Sequence, residues 1–289
     1  MSTPPFLSLP EGVRAARIAT SRGEFAVLEA GSSGPTVLLV PGWTGSKEDF
    51  VAMLAPLAAD GYHAVAYDQR GQFETPGSES EDEYALPSLG ADLLAVADEV
   101  AGAPTHVFAH SFGGMVARAA ALADQDAFAS LTLMCSGPGP QPADRHDLLR
   151  ALAAAIPAYG LDATWQAKRA YERSQGAPEP PPEIESFMQR RFLANHPASL
   201  RAITLHLTTA EDTVDALAAT GLPVLVAFGA DDDGWPQEEQ REMAARLGAL
   251  VAVVDGAGHS PAAERPTETV AMLERFLATV PEHSRRIGA

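Results

Sequence analysis

Short runs of apolar residues alternate along this chain with stretches in which apolar positions recur three and four apart. The continuous apolar runs predict strands at residues 36–40, 63–67, 106–109, 130–134, 224–228 and 250–254. Between them the helical period predicts helices at about residues 47–59, 89–101, 113–123, 237–247 and 267–279. The last of these places Val270, Leu273 and Leu277 on one face. Residues 16–29 are expected to form an antiparallel opening hairpin that turns at Ser21-Arg-Gly. Strands that are apolar throughout and alternate with helices belong to a parallel sheet covered on both faces. The expected fold class is therefore α/β.

The alternation stops between Gly137 and about Asp212. Gly137-Pro-Gly-Pro-Gln-Pro is a breaker cluster that ends a core strand, and only helical patterns follow, at residues 144–156, 162–174, 184–194 and 198–210. In the first of these, Leu148, Leu149, Leu152 and Ile156 recur at helical spacing, so one face is expected to be buried. The chain thus divides into a first core part at 1–138, a helical insertion at 139–212 and a second core part at 213–289. The insertion is expected to form a lid over a site, or failing that a surface for a homodimer.

One strand-to-helix junction carries chemistry. Thr105-His-Val-Phe-Ala-His-Ser-Phe-Gly-Gly turns abruptly from a β-branched and aromatic run into an Ala-rich helix, with Ser111 at the corner. Ala109 and Gly113, two residues away on either side, are small, as the tight turn of a nucleophile elbow demands. A serine hydroxyl needs a base to take its proton and a third group to orient that base. Residues 222–229 read as a buried strand ending in three consecutive carboxylates, Asp231, Asp232 and Asp233. Residues 249–255 read as another, ending in Gly256-Ala-Gly-His, which offers His259. The contiguous Asp run lacks the alternate spacing of a hard-cation loop, so no metal is expected. His110 is expected to be a scaffold residue, and His63, His106, His146, His196, His206 and His283 show no metal-ligand spacing.

The order Ser, Asp, His, with these surroundings, resembles the α/β-hydrolase fold superfamily in its esterase, haloperoxidase and epoxide-hydrolase-like branch. The resemblance runs from about Val37 to Phe276. Val40-Pro-Gly-Trp looks like the oxyanion loop after the third strand, and Tyr67-Asp-Gln-Arg-Gly looks like the Asp-x-Arg-Gly turn. Gly229-Ala-Asp-Asp-Asp-Gly-Trp-Pro fits the acid loop in the register that selects Asp232, and Gly258-His-Ser-Pro fits the histidine loop. Two positions depart from the family pattern: Ala109 stands where glycine is usual, and Pro41 where the oxyanion loop usually begins with histidine. The resemblance implies a mostly parallel eight-stranded sheet with a helical cap between the sixth and seventh strands. It also implies catalytic Ser111, Asp232 and His259, with an oxyanion hole from the backbone N–H groups of Trp43 and Phe112. Trp43, Phe112, Trp235, Trp165, Phe187 and Phe192 are the expected pocket residues, and no cofactor is expected.

Composition narrows the partners. The formal charge of −18 leaves no basic patch for phosphates, which excludes nucleic acid, and it equally disfavours anionic membrane. Neither Lys47 nor Lys168, the only lysines, lies in a motif, so Schiff-base chemistry has no evident carrier. A single cysteine, Cys135, in an apolar run suits a reducing cytoplasm, and the N-terminus has no apolar run of a signal peptide. The expected substrate is a small or medium apolar carboxylic ester or lactone. Perhydrolysis or C–C hydrolysis with the same triad, and a ligand-binding receptor on the same fold, are the alternatives. A carboxylate nucleophile is disfavoured by the serine in the elbow.

Overall fold

The computed structural model describes residues 2–102, 104–176 and 179–281, so His283 lies outside the described residues. Eight strands form one sheet: β1 (Val13–Thr20), β2 (Gly23–Ala30), β3 (Thr36–Val40), β4 (His63–Tyr67), β5 (Thr105–His110), β6 (Phe128–Met134), β7 (Val224–Gly229) and β8 (Leu250–Val254). Their spatial order is β1-β2-β4-β3-β5-β6-β7-β8. β2 runs antiparallel to both β1 and β4, and every other neighbouring pair is parallel. This is the sheet the alternating pattern implied. β3, β6 and β7 are buried at every position, because helices cover both faces.

β8 departs from the sequence reading, which took it for a buried strand. Leu250, Val251 and Val253 are 53%, 42% and 37% exposed. The cause is position: β8 is the last strand of the sheet and has only β7 beside it.

The covering helices are α1 (Val51–Ala59), α2 (Leu86–Val100) and α3 (Phe112–Ala123) in the first part of the chain. After β6 come α4 (His146–Ser174), α5 (Pro182–Leu193) and α6 (Pro197–Thr209). The chain then adds α7 (Val214–Ala218), α8 (Gln237–Leu247), α9 (Pro261–Glu264) and α10 (Pro266–Leu277). Neighbour contacts link α2, α3, α7 and α8 in one layer and α1, α9 and α10 in the other. The short helices α7 and α9 have no counterpart in the periodicity, since four or five residues complete too little of a hydrophobic stripe to register.

α4, α5 and α6 leave the sheet after β6 and return before β7. Gly160, at φ 79° and ψ 173°, breaks α4 between the two helices expected there. The buried face of its first half is narrower than the Leu pattern suggested. Leu149, Ala153 and Ile156 are buried, whereas Leu148 is 45% exposed. These helices hold a second apolar cluster of Ile156, Trp165, Ile184, Phe187, Met188, Phe192 and Leu200, apart from the main core under the sheet. Trp43 packs against both clusters. A buried ion pair ties the two as well. Arg191 of α5 donates from Nη1 to Asp49 Oδ1 at 2.6 Å and from Nη2 to the Ser2 carbonyl at 2.7 Å.

Candidate active site

Ser111 sits between β5 and α3 with φ 54° and ψ −119°, a backbone conformation that costs an L-residue of order 1–3 kcal/mol. Packing enforces it. The Ser111 N–H donates to the Met134 carbonyl at 2.8 Å, which ties the corner to the end of β6. The turn brings α3 against the β3 loop so closely that a Cβ on Gly113 would lie 2.7 Å from the Val40 carbonyl oxygen. A Cβ on Gly42 would lie 3.0 Å from the Ser111 Cβ, so this loop borders the serine directly. The start of α3 also leaves its first N–H groups without intrahelical acceptors, facing the same region.

β7 and β8 deliver the other two groups. The Ser111 hydroxyl donates to His259 Nε2 at 3.0 Å, and His259 Nδ1–H donates to Asp232 Oδ1 at 2.6 Å. The three residues are therefore joined in one hydrogen-bonded line. Asp232 also accepts from the Gly234 N–H at 2.9 Å and, on Oδ2, from Gln240 Nε2 at 2.7 Å. Burial works to raise the Asp232 pKa, but the bonds and charge from His259, with those from Gly234 and Gln240, outweigh it and hold the carboxyl below its ordinary value. Of its neighbours, Asp231 is exposed, and Asp233 is exposed and faces Arg145 at 3.4 Å.

His110 does not point at the serine hydroxyl. Its Nε2–H donates to the His259 carbonyl at 2.6 Å, and burial, aided by the nearby His259, pushes its pKa from 6.5 to about 3. It is neutral at any ordinary pH. Cys135 follows β6 and is fully buried, and its thiol pKa is pushed well up by burial and by the Asp232 charge. His110, Cys135 and His259 bring ligand atoms within 4.8 Å of one another, as do Asp232, Asp233 and His259. Both groups share His259, whose two ring nitrogens are already engaged by Ser111 and Asp232.

No loop or turn hydrogen bond among the described residues takes up the backbone N–H of Trp43 or Phe112. The expected pocket residues fall into two groups. Trp43 donates from Nε1 to Thr204 Oγ1 of α6 at 2.9 Å, Phe112 stacks on His206 at 6.2 Å, and the Trp235 ring lies 6.2 Å from that of His259. These three adjoin Ser111, His259 or the loops beside them. Trp165, Phe187 and Phe192 lie instead in the apolar cluster of the inserted helices, where Trp165 and Phe192 rings are 5.4 Å apart and Trp43 and Phe73 pack at the border.

Several residues that shape this site carried no sequence signal. Gln240 reaches Asp232 from the first turn of α8, and nothing in a charged amphipathic helix marks it. Lys47 is buried, with Nζ 2.9 Å from Asp68 and 2.6 Å from Glu74 and its N–H 2.8 Å from Asp68 Oδ1. Asp68 thus ties the end of the β3 loop to the loop after β4. Arg70 of the same turn pairs with Asp92 at 2.6 Å. Gln69 Nε2 donates to the Pro41 carbonyl at 2.7 Å and Gln72 Nε2 to the Gly42 carbonyl at 3.0 Å.

Among the described residues, no helix is long and apolar enough to cross a membrane. Comparison with known proteins places these features in context. Over 103 residues the chain is 32% identical to RutD, a candidate carbamate hydrolase of Variovorax paradoxus, covering 36% of this chain and 38% of that protein. Over 109 residues it is 31% identical to epoxide hydrolase A of Mycobacterium tuberculosis, covering 37% of this chain and 34% of that one. The chain therefore matches well under half the length of these curated relatives. A thermophilic esterase from Thermogutta terrifontis superposes with a TM-score of 0.75 at 24% identity, over 92% of this chain and 99% of that one. An enol-lactonase from Burkholderia xenovorans does so with a TM-score of 0.75 at 18% identity, over 91% and 100%. The model of the alpha/beta hydrolase family matches residues 37–272, from β3 into α10. With that match, an eight-stranded sheet in this order and a serine at the β5–α3 corner, the chain belongs to the alpha/beta hydrolase family.

Proposed function

We propose that this protein is a serine hydrolase that cleaves carboxylic esters or lactones through an acyl-enzyme on Ser111. The observation that supports the reading best is the unbroken line from the Ser111 hydroxyl through His259 to Asp232, with the serine held at a strained corner. His259 Nε2 takes the hydroxyl proton as Oγ attacks the substrate carbonyl. Asp232 keeps Nδ1 protonated and stabilises the imidazolium that results. The carbonyl oxygen gains charge in this step, and the N–H groups of Trp43 and Phe112 receive it. One such donor contributes about 3 kcal/mol to the transition state. His259 then returns the proton to the leaving alkoxide. In the second half it deprotonates water, which attacks the acyl carbon, and it returns that proton to Ser111 Oγ as the acyl–oxygen bond breaks, releasing the acid and the free serine.

The esterase and enol-lactonase among the structural neighbours fit this substrate class. An attack of the kind that opens an epoxide through a carboxylate has no carboxylate here, since the corner residue is a serine. The test is to label the protein with a fluorophosphonate and map the adduct, then to measure turnover on aryl esters, lactones and β-diketones. The reading expects the adduct on Ser111 and turnover of esters or lactones. No adduct, or turnover confined to the diketones, would overturn it.

A further inference from the structure

Resting on acyl transfer at Ser111, we infer that Gln72, aided by Gln69, is a positioning residue that aims the Trp43 N–H at the oxyanion. The argument begins with peptide geometry. A trans peptide is planar, and its C=O and N–H point in opposite directions. The Gly42 carbonyl belongs to the same peptide as the Trp43 N–H. Gln72 Nε2 holds that carbonyl at 3.0 Å, and the Gly45 N–H holds it at 3.1 Å. Fixing the oxygen on the Gln72 side turns the Trp43 N–H to the opposite side. Gly42 itself abuts Ser111, since a Cβ there would lie 3.0 Å from the Ser111 Cβ.

Gln69 does the same one peptide earlier, holding the Pro41 carbonyl at 2.7 Å. Both glutamines are 1% exposed, and the Oε1 of each has no partner among the described residues. A buried amide with its own acceptor unmade is a cost, so its place in the fold must be earned by the donor end. The need is clear from the loop. Within the loop the Gly45 N–H reaches the Gly42 carbonyl, while Pro41 offers neither a backbone N–H nor a polar side chain; Gln69 and Gln72 add donors from outside.

The brace is itself immobilised. The Gln72 N–H donates to the Gln69 carbonyl at 2.9 Å, and the Thr75 N–H to that of Gln72 at 2.9 Å. Asp68 pins one end of the segment to Lys47. The inserted helices pin the middle, through the His196 N–H on the Gly71 carbonyl at 2.8 Å and Ser199 Oγ on that of Arg70 at 3.1 Å. Two side-chain amides on a doubly anchored turn therefore set the orientation of two successive peptides in the loop that faces the nucleophile.

Gln72→Met keeps size and removes the donor. The expected result is a kcat lower by roughly 10- to 100-fold, less than the 10²–10³ for losing a whole oxyanion donor, with KM within about twofold. The inhibition constant of a trifluoromethyl ketone, whose adduct carries an oxyanion, should rise in parallel with the fall in kcat/KM. The rate of Ser111 labelling by a fluorophosphonate should fall likewise. Gln69→Met, one peptide removed, should show the smaller effect. Gln72→Glu supplies a donor only when the introduced carboxyl is protonated, so its rate relative to wild type should fall as pH rises. A folded Gln72→Met protein with wild-type kcat, or one that loses kcat while its ketone affinity and labelling rate are unchanged, overturns the assignment. So does a Gln72→Glu ratio that is flat with pH. Failure of the wild-type protein to label at Ser111 would instead sink the acyl-transfer reading on which the assignment rests.

Discussion

His110 donates from Nε2 to the backbone carbonyl of His259 at 2.6 Å, so the residue beside the serine holds in place the loop that carries His259. Nε2–H can make this bond in either protonation state; burial, aided by the nearby His259, keeps the ring neutral by lowering its pKa from 6.5 to about 3. An unfolded chain binds a proton at this position below 6.5, whereas the folded one does not until about pH 3. The stability this group contributes is therefore present above pH 6.5 and lost as pH falls towards 3.

The resulting expectation concerns slope. Between pH 6 and 4 the unfolding free energy should fall more steeply in the wild type than in His110→Gln, by about one proton or roughly 1.4 kcal/mol per pH unit. Urea titrations at a series of pH values would measure both. Parallel curves would mean that His110 titrates in the folded protein.

Asp232 and its neighbours separate on contact grounds. Asp232→Asn should lower kcat by roughly ten-thousandfold, because an amide favours the wrong imidazole tautomer. Asp231→Asn and Asp233→Asn, at exposed positions, should each stay within about tenfold. Steady-state kinetics on one aryl ester decides between them, and a sensitive Asp231 or Asp233 would contradict the hydrogen-bonded line.

The buried pair Arg191–Asp49 joins α5 to the chain just after the β3 loop. Burial pushes the Asp49 carboxyl up, and Arg191 pulls it back. Arg191→Met should cost about 3–5 kcal/mol, since it leaves that carboxylate buried and alone. Adding Asp49→Leu should recover part of the loss, as replacing both partners removes the uncompensated charge. Chemical denaturation of the two single variants and the double variant gives the coupling directly.

Phe192 and Trp165 form the centre of the insertion's own cluster, with Trp43 at its border. Phe192→Ala should lose about 3–5 kcal/mol of stability. If the space opened reaches the substrate past Trp43, relative kcat/KM for bulkier esters should rise roughly ten- to two-hundredfold. Melting temperature and an ester series measured together distinguish the two effects. Lost stability with an unchanged preference profile would assign these aromatics to packing alone.

The parallel part of the sheet was legible because strands such as β3 and β7 are apolar along nearly their whole length and longer helices such as α10 show a stripe. The corner at Ser111 was legible because close approach restricts residue size at Ala109 and Gly113. Asp232 was distinguished from its two neighbours only by the family register, since three adjacent carboxylates look alike until packing buries one of them. Gln240, Gln69 and Gln72 were invisible for a different reason. A glutamine is ordinary in a helix or a polar turn, and its importance arises from a backbone carbonyl or carboxylate that lies 8 to 30 positions away in sequence. The exposure of β8 was hidden too, because an apolar run is the same whether its strand lies inside the sheet or at its end.

Ser111 and His259 are 148 positions apart, with Asp232 between them. A ribosome delivers the chain in order, so the hydroxyl emerges well before the groups that the proposed chemistry needs to activate it. Through the synthesis of β6, the inserted helices and β7, the nascent protein carries a corner serine with no base. The imidazole reaches it only when β8 has paired with β7, a long-range event of the slow kind. In a refolding experiment turnover would return no earlier than that pairing, and so would report on it.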